Sequence, residues 1–204
     1  MRRRNASRTS GGSSARVRYA IEAGPTRDAL LTDTNLLLKA LYFAADKHRD
    51  QRRKGAGASP YINHPIAVAH MLSDVGGITD ATTLAAAILH DTVEDTDATP
   101  EELERKFGAG VAGIVAEVTD DPTLTRAARK QAQIDHAPRL SKPAMLVKLA
   151  DKVCNVTDIL ERPPDWPQWR KDEYVRWARE VVEALRGTNS ALESKFDEVA
   201  DRRE

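Results

Sequence analysis

Nine residues, Ile88-Leu89-His90-Asp91-Thr92-Val93-Glu94-Asp95-Thr96, set four ionisable side chains at the end of an apolar run. In a helix, His90 and Glu94 are i,i+4 neighbours, as are Asp91 and Asp95, so the spacing predicts two polar stripes side by side. The preceding Leu84-Ala85-Ala86-Ala87-Ile88-Leu89 is small, apolar and helix-favouring, which predicts a buried helix carrying the cluster. Carboxylates are rarely buried unless paired or bound to a cation. A His-Asp dipeptide alone is a weak signal, and a solvated acidic helix end is the plain alternative. Matching groups elsewhere change the balance. His64 lies in Pro60-Tyr61-Ile62-Asn63-His64-Pro65, and Asp151 stands where an otherwise amphipathic helix should place an apolar residue. His64, His90, Asp91 and Asp151 read together as a metal site. Without a thiolate, the set suits a cation that accepts nitrogen and oxygen and keeps open positions, which favours manganese, iron or magnesium over zinc. Such a cation acidifies its water and polarises a phosphoryl oxygen.

The elements that must position these groups read as helices. Thr32, Asp33 and Thr34 are expected to cap a first helix carrying Leu36, Leu37, Ala40, Leu41 and Ala44, ending between Arg49 and Lys54. Gly55 to Pro60 forms a turn. A second helix runs from about His64 to Gly76-Gly77, and a third from Asp80 to His90. Thr99 caps a fourth with Pro100 at its first position, and Val111, Ile114, Val115 and Val118 continue at helical spacing after Gly108. Helices from Thr125 to His136 and from Ser141 to Ile159, with two more after Pro167, complete the set. No period-two alternation and no Gly-rich strand-turn-helix unit is present, so the expected fold is all-α.

At 204 residues, with 41% hydrophobic and 30% charged residues, the chain suits one globular domain with a substantial core. No apolar run reaches the length of a membrane span. The single cysteine, Cys154, excludes an internal disulfide and a thiolate zinc cluster, and is compatible with a cytoplasmic location. Formal net charge is zero, but the first twenty residues hold six arginines and no acid, so the remainder is six charges negative. That acidic body argues against a nucleic-acid-binding surface. Residues 1–32 are expected to form an Arg/Ser-rich disordered tail, whose acid-free composition also resembles a transit peptide, and residues 33–204 the domain.

The motifs, taken in order, resemble the HD-domain phosphohydrolases, and within them the hydrolase domain of RelA/SpoT proteins and the small stand-alone alarmone hydrolases of metazoan SpoT-homologue type. The likeness rests on His48-Arg49-Asp50-Gln51-Arg52-Arg53-Lys54, Pro60 to Pro65, His90 to Thr96, Lys148-Leu149-Ala150-Asp151-Lys152 with Asn155, and Trp169 to Tyr174. It covers residues 34 to 190 and implies a single HD-domain helical bundle. It also implies manganese on His64, His90, Asp91 and Asp151, with Glu94 and Asp95 orienting or deprotonating the attacking water. By the same likeness Arg53 and Lys54 line a nucleotide pocket and Asn155 contacts ribose or base. Arg126 and the i,i+4 pair Arg170/Tyr174 are further candidates for substrate contact. The implied reaction is hydrolysis of guanosine 3′,5′-bis(diphosphate), and of the pentaphosphate, to GDP or GTP and pyrophosphate, which ends stringent-response signalling. The resemblance also admits a phosphatase of another 3′- or 2′-phosphorylated nucleotide, such as NADPH. A catalytically silent nucleotide sensor is a rival of another class, against which the intact ligand set argues. Thr157 departs from the pattern, which usually has arginine there, and this bears on how nearby acidic groups are held. The oligomeric state is left open by the sequence.

Overall fold

The computed structural model describes residues 27–55 and 57–202, with side chains from Thr32 onward; expectations for the Arg-rich segment before residue 27 lie outside the described residues. The chain runs through α1 (Arg27–Lys47), α2 (Asn63–Asp74), α3 (Ala81–Leu89), α4 (Thr92–Asp95), α5 (Pro100–Val118), α6 (Arg126–His136), α7 (Lys142–Glu161), α8 (Gln168–Glu183) and α9 (Ser190–Asp201). A short 3₁₀ turn, Ala137–Arg139, links α6 to α7. The described residues contain no strand, only the isolated bridges Arg52 with Pro60 and Gly55 with Pro164. None of their helices is long and apolar enough to cross a membrane. The fold is all-α, as expected.

Two helices form the centre. α3 packs against α1, α2, α5 and α7, and α7 also packs against α2, α5, α8 and α9. Ala85, Ala86 and Ala87 have no exposed surface, so neighbouring helices approach the α3 backbone closely, while Leu89 and Leu149 fill the space between. Truncating either leucine to alanine costs about 2–5 kcal/mol from lost burial and the cavity left behind. Side-chain caps start the helices where the sequence places them: Asp80 accepts from the Thr83 amide, Thr99 from Glu102, Thr125 from Ala128 and Ser141 from Ala144. Gly108, at φ 85° and ψ 162°, breaks α5 into two segments, a conformation that a Cβ strains.

One local expectation is corrected. α1 begins at Arg27, so Thr32, Asp33 and Thr34 lie inside it rather than capping it, and α1 runs across the expected boundary between residues 32 and 33. The helix-favouring Ala29, Leu30 and Leu31 extend it backwards, and its other end comes early, at Lys47. The cluster straddles a helix end: α3 stops at Leu89 with His90 at its cap, in line with the expected span to His90, and the backbone turns at Asp91 (φ −94°, ψ −4°) before restarting as α4. Side chains compete for the last carbonyls of α3: His90 Nδ1 bonds Ala87 O at 2.8 Å, and the Thr92 hydroxyl donates to Leu89 O at 2.7 Å.

Candidate metal centre and adjoining cleft

Four side chains from α2, the α3–α4 junction and α7 meet at the centre of the bundle. His64 sits in the first turn of α2, His90 at the end of α3, Asp91 immediately after it, and Asp151 in the middle of α7. His64, His90 and Asp151 each present one ligand atom within 4.8 Å of the others, and all three are buried. Asp91 closes the group, its Oδ1 being 3.1 Å from His90 Nε2 and its Oδ2 3.7 Å from His64 Nε2. Asp151 Oδ1 lies 3.1 Å from His64 Nε2 and 3.7 Å from His90 Nε2. Ligands bound at about 2.0–2.2 Å from one ion stand about 3–4 Å apart, so these spacings suit a shared cation. His90 fits the role best. Its Nδ1 proton goes to Ala87 O, which leaves the lone pair on Nε2, and that buried nitrogen has no hydrogen-bond partner.

The electrostatics agree. Burial pulls the His90 imidazole towards neutrality, but Asp91 and Asp151 outweigh it and push its pKa up to about 10. Burial likewise opposes ionisation of Asp151, yet Lys152 and the two imidazoles hold it well below the usual carboxylate range. The pocket therefore keeps the buried Asp151 and the half-buried Asp91 charged and calls for positive charge in return, which a divalent cation would supply in place of the imidazole proton.

Glu94 and Asp95 flank this centre on α4. Glu94 accepts from the Asp120 backbone amide at 3.2 Å, and burial, followed by the charge of Asp120, raises its pKa. Asp95 Oδ2 accepts from the Tyr61 hydroxyl at 2.8 Å, and the same hydroxyl lies 2.8 Å from Asp91 Oδ2. The amide of Asp95 bonds Asp91 O at 2.9 Å, so these two carboxylates stay one turn apart despite the break before them.

A cavity of about 600 Å³ opens beside the metal centre, lined by Arg53, Lys54, Asn155, Trp166 and Tyr174 among others. Arg53, Tyr61, Asp95, Asn155 and Tyr174 also line the smaller space of about 210 Å³ that holds the four candidate ligands. A third recess of about 360 Å³ contains Lys54, Glu94, Arg126, Arg170 and Tyr174. All six expected substrate contacts thus line one or more of these three spaces, and Arg126 lines only the third. Arg53 donates at 2.8 Å to both Asn155 Oδ1 and Asp158 Oδ2 and covers the Tyr61 ring at 5.6 Å. Gly55, in the loop behind it, lies so close to Arg162 O that a Cβ would sit 2.9 Å away. Arg170 stacks on Trp166 at 4.2 Å. Where the motif pattern has arginine, the Thr157 hydroxyl bonds back to Val153 O, and neighbouring Asp158 takes its cations from Arg53 and Arg162 instead.

Tyr61, Lys148 and Lys152 had no assigned role in the sequence. Tyr61 bridges a candidate ligand to Asp95, and His48, expected to be structural or to support the ligands from outside, stacks on it at 4.8 Å while bonding Gln51. Lys148 and Lys152 are both buried within α7, and Lys152 bonds Asp151. The available signal was two lysines one turn apart in a segment whose other residues, Asp151 apart, are Leu146, Val147, Leu149, Ala150 and Val153. Cys154 is buried, and burial pushes its thiol up to about 12, in keeping with a core residue.

A helical bundle with a His/Asp pair closing one helix, and a distant His and Asp completing its centre, defines the HD-domain class. The chain belongs to the HD-domain family, whose model matches residues 40–183. Within that class it is 55% identical over 167 residues to guanosine-3′,5′-bis(diphosphate) 3′-pyrophosphohydrolase MESH1 of Xenopus tropicalis, covering 81% of this chain and 93% of that protein. The MESH1 protein of Homo sapiens is 51% identical over 168 residues, covering 82% of this chain and 94% of the relative. A solved structure of a metazoan ortholog of SpoT, described as hydrolysing ppGpp and playing a role in starvation responses, superposes with a TM-score of 0.81. It is 48% identical, over 82% of this chain and 95% of that one.

Proposed function

We propose that this chain is a manganese-dependent hydrolase that removes the 3′-pyrophosphate from guanosine tetra- and pentaphosphate, giving GDP or GTP and pyrophosphate. The observation that carries the reading is the convergence of His64, His90, Asp91 and Asp151 beside a cleft rich in arginine and lysine. The names borne by relatives more than half identical over four-fifths of the chain support the substrate.

A divalent cation held by those four residues supplies Lewis acidity, lowering the pKa of water and polarising a phosphoryl oxygen. The chain's own residues do the rest. Glu94, whose pKa is raised by burial and by the charge of Asp120, takes the proton of the attacking water, and Asp95, tied to Tyr61, orients it. Arg53, Lys54, Arg126 and Arg170 neutralise the substrate's phosphates, which an otherwise acidic body would repel. Asn155, braced between Arg53 and Asp151, meets the ribose or base, and Tyr174 offers a ring beside it.

Incubation with guanosine tetraphosphate, with and without manganese, tests the reading. GDP and pyrophosphate are expected only with metal, and Asp151→Ala is expected to lose both metal retention and turnover. Asp151→Ala protein that hydrolyses at the wild-type rate refutes the ligand assignment. Nucleotide binding without turnover points to a sensor, and preferential release of phosphate from NADPH to a different substrate.

A further inference from the structure

Asp151 uses its two oxygens differently. Oδ1 faces the imidazoles of His64 and His90 and also accepts from Asn155 Nδ2 at 2.6 Å. Oδ2 faces away and accepts from Lys152 Nζ at 2.9 Å. Lys152 follows Asp151 directly in α7, is only 3% exposed, and places its ammonium 4.6 Å from the centroid of the Trp177 ring on α8. That ring is itself held, its Nε1 donating to Lys130 O on α6 at 3.0 Å. The lysine is thus clamped between an aromatic face and one carboxylate oxygen, in a cavity wall that no phosphate contact requires.

We propose that Lys152 is a positioning residue for the metal centre: by occupying Asp151 Oδ2 from its seat on Trp177, it restricts Asp151 to one-oxygen coordination through Oδ1. The inference rests on the metal-hydrolase reading above. A free carboxylate can chelate a hard cation with both oxygens, which would take up a position needed by water or substrate. Removal of Lys152 takes a like charge away from the cation site and frees Oδ2 to chelate, and both act to tighten manganese binding. The diagnostic reading is therefore the coordination number of the bound metal.

The test is titration of the full-length, metal-stripped protein with manganese, followed by the spin-resonance signal of free Mn²⁺, and with cobalt, whose visible absorption reports coordination number. Lys152→Met is expected to shift the cobalt spectrum towards higher coordination and to bind manganese at least as tightly as wild type, while Lys152→Arg restores the wild-type spectrum. A cobalt spectrum identical to wild type overturns the proposal, as does weaker manganese binding in Lys152→Met. Where Lys152→Met does not fold, Lys152→Gln against Lys152→Arg carries the test: the shorter neutral amide must raise the cobalt coordination number while arginine retains it, and equal spectra overturn the proposal. Wild-type protein that binds no manganese refutes the metal centre itself, a result distinct from wild-type binding with unaffected variants.

Discussion

Tyr61→Phe removes one hydroxyl and keeps the ring that stacks on His48 and underlies Arg53. That hydroxyl has a single proton, yet it lies 2.8 Å from carboxylate oxygens of both Asp91 and Asp95. It therefore contributes the equivalent of one charge-assisted hydrogen bond, shared between a candidate metal ligand and a carboxylate proposed to orient water. Such bonds are worth about 1.5–3 kcal/mol. Asp95 is exposed and regains water, so the lower end applies, and about 1.5 kcal/mol corresponds to about a tenfold loss of kcat/KM. Initial rates of pyrophosphate release at saturating manganese measure the loss, with a manganese titration and thermal melt run alongside. The expected result is about tenfold lower kcat/KM and weaker metal binding with little change in melting temperature. A folded phenylalanine variant within about twofold of wild type in both rate and metal affinity refutes the reasoning, because it leaves the bridge with no energetic consequence.

Glu94→Gln is expected to lower kcat by about 10²–10⁴-fold, the range of general-base catalysis, while manganese affinity is retained. Because burial and Asp120 raise the Glu94 pKa, wild-type kcat/KM should fall with decreasing pH at a pH above the usual glutamate pKa, as the base becomes protonated. A pH–rate profile shows this acid limb, and its persistence in Glu94→Gln assigns it elsewhere. Arg53→Ala removes bonds to Asn155 and Asp158 together with a phosphate contact, and should raise KM about tenfold, with kcat changed far less. Steady-state kinetics decide it; a KM within experimental scatter of wild type excludes Arg53 from substrate binding.

Much of the fold was legible in local chemistry. Asp80, Thr99, Thr125 and Ser141 cap the helices their positions suggested, because a short oxygen-bearing side chain before an apolar-periodic stretch satisfies amides that nothing else can reach. The failure was also local in origin. Thr32 to Thr34 carry a capping signal that strong helix formers upstream override. The end of α3 at His90 was legible as well, and the structure supplies its cause: the side chains of His90 and Thr92 take carbonyls that a continuing helix would need.

The candidate ligands could be proposed from residue type together with sequence surroundings, since a carboxylate set in an apolar stretch calls for a cation or a partner wherever the chain puts it. Helical spacing also fixes which neighbours share a face, as with Asp91 and Asp95 or Asp151 and Asn155. Contacts between helices are a different matter. That Tyr61 reaches Asp91 from the loop before α2, that Arg53 pairs with Asp158, and that Lys152 is clamped between Asp151 and Trp177 depend on distances set by how α2, α7 and α8 pack. Those distances arise from side-chain volumes filled across the whole core, and no interval along the chain encodes them.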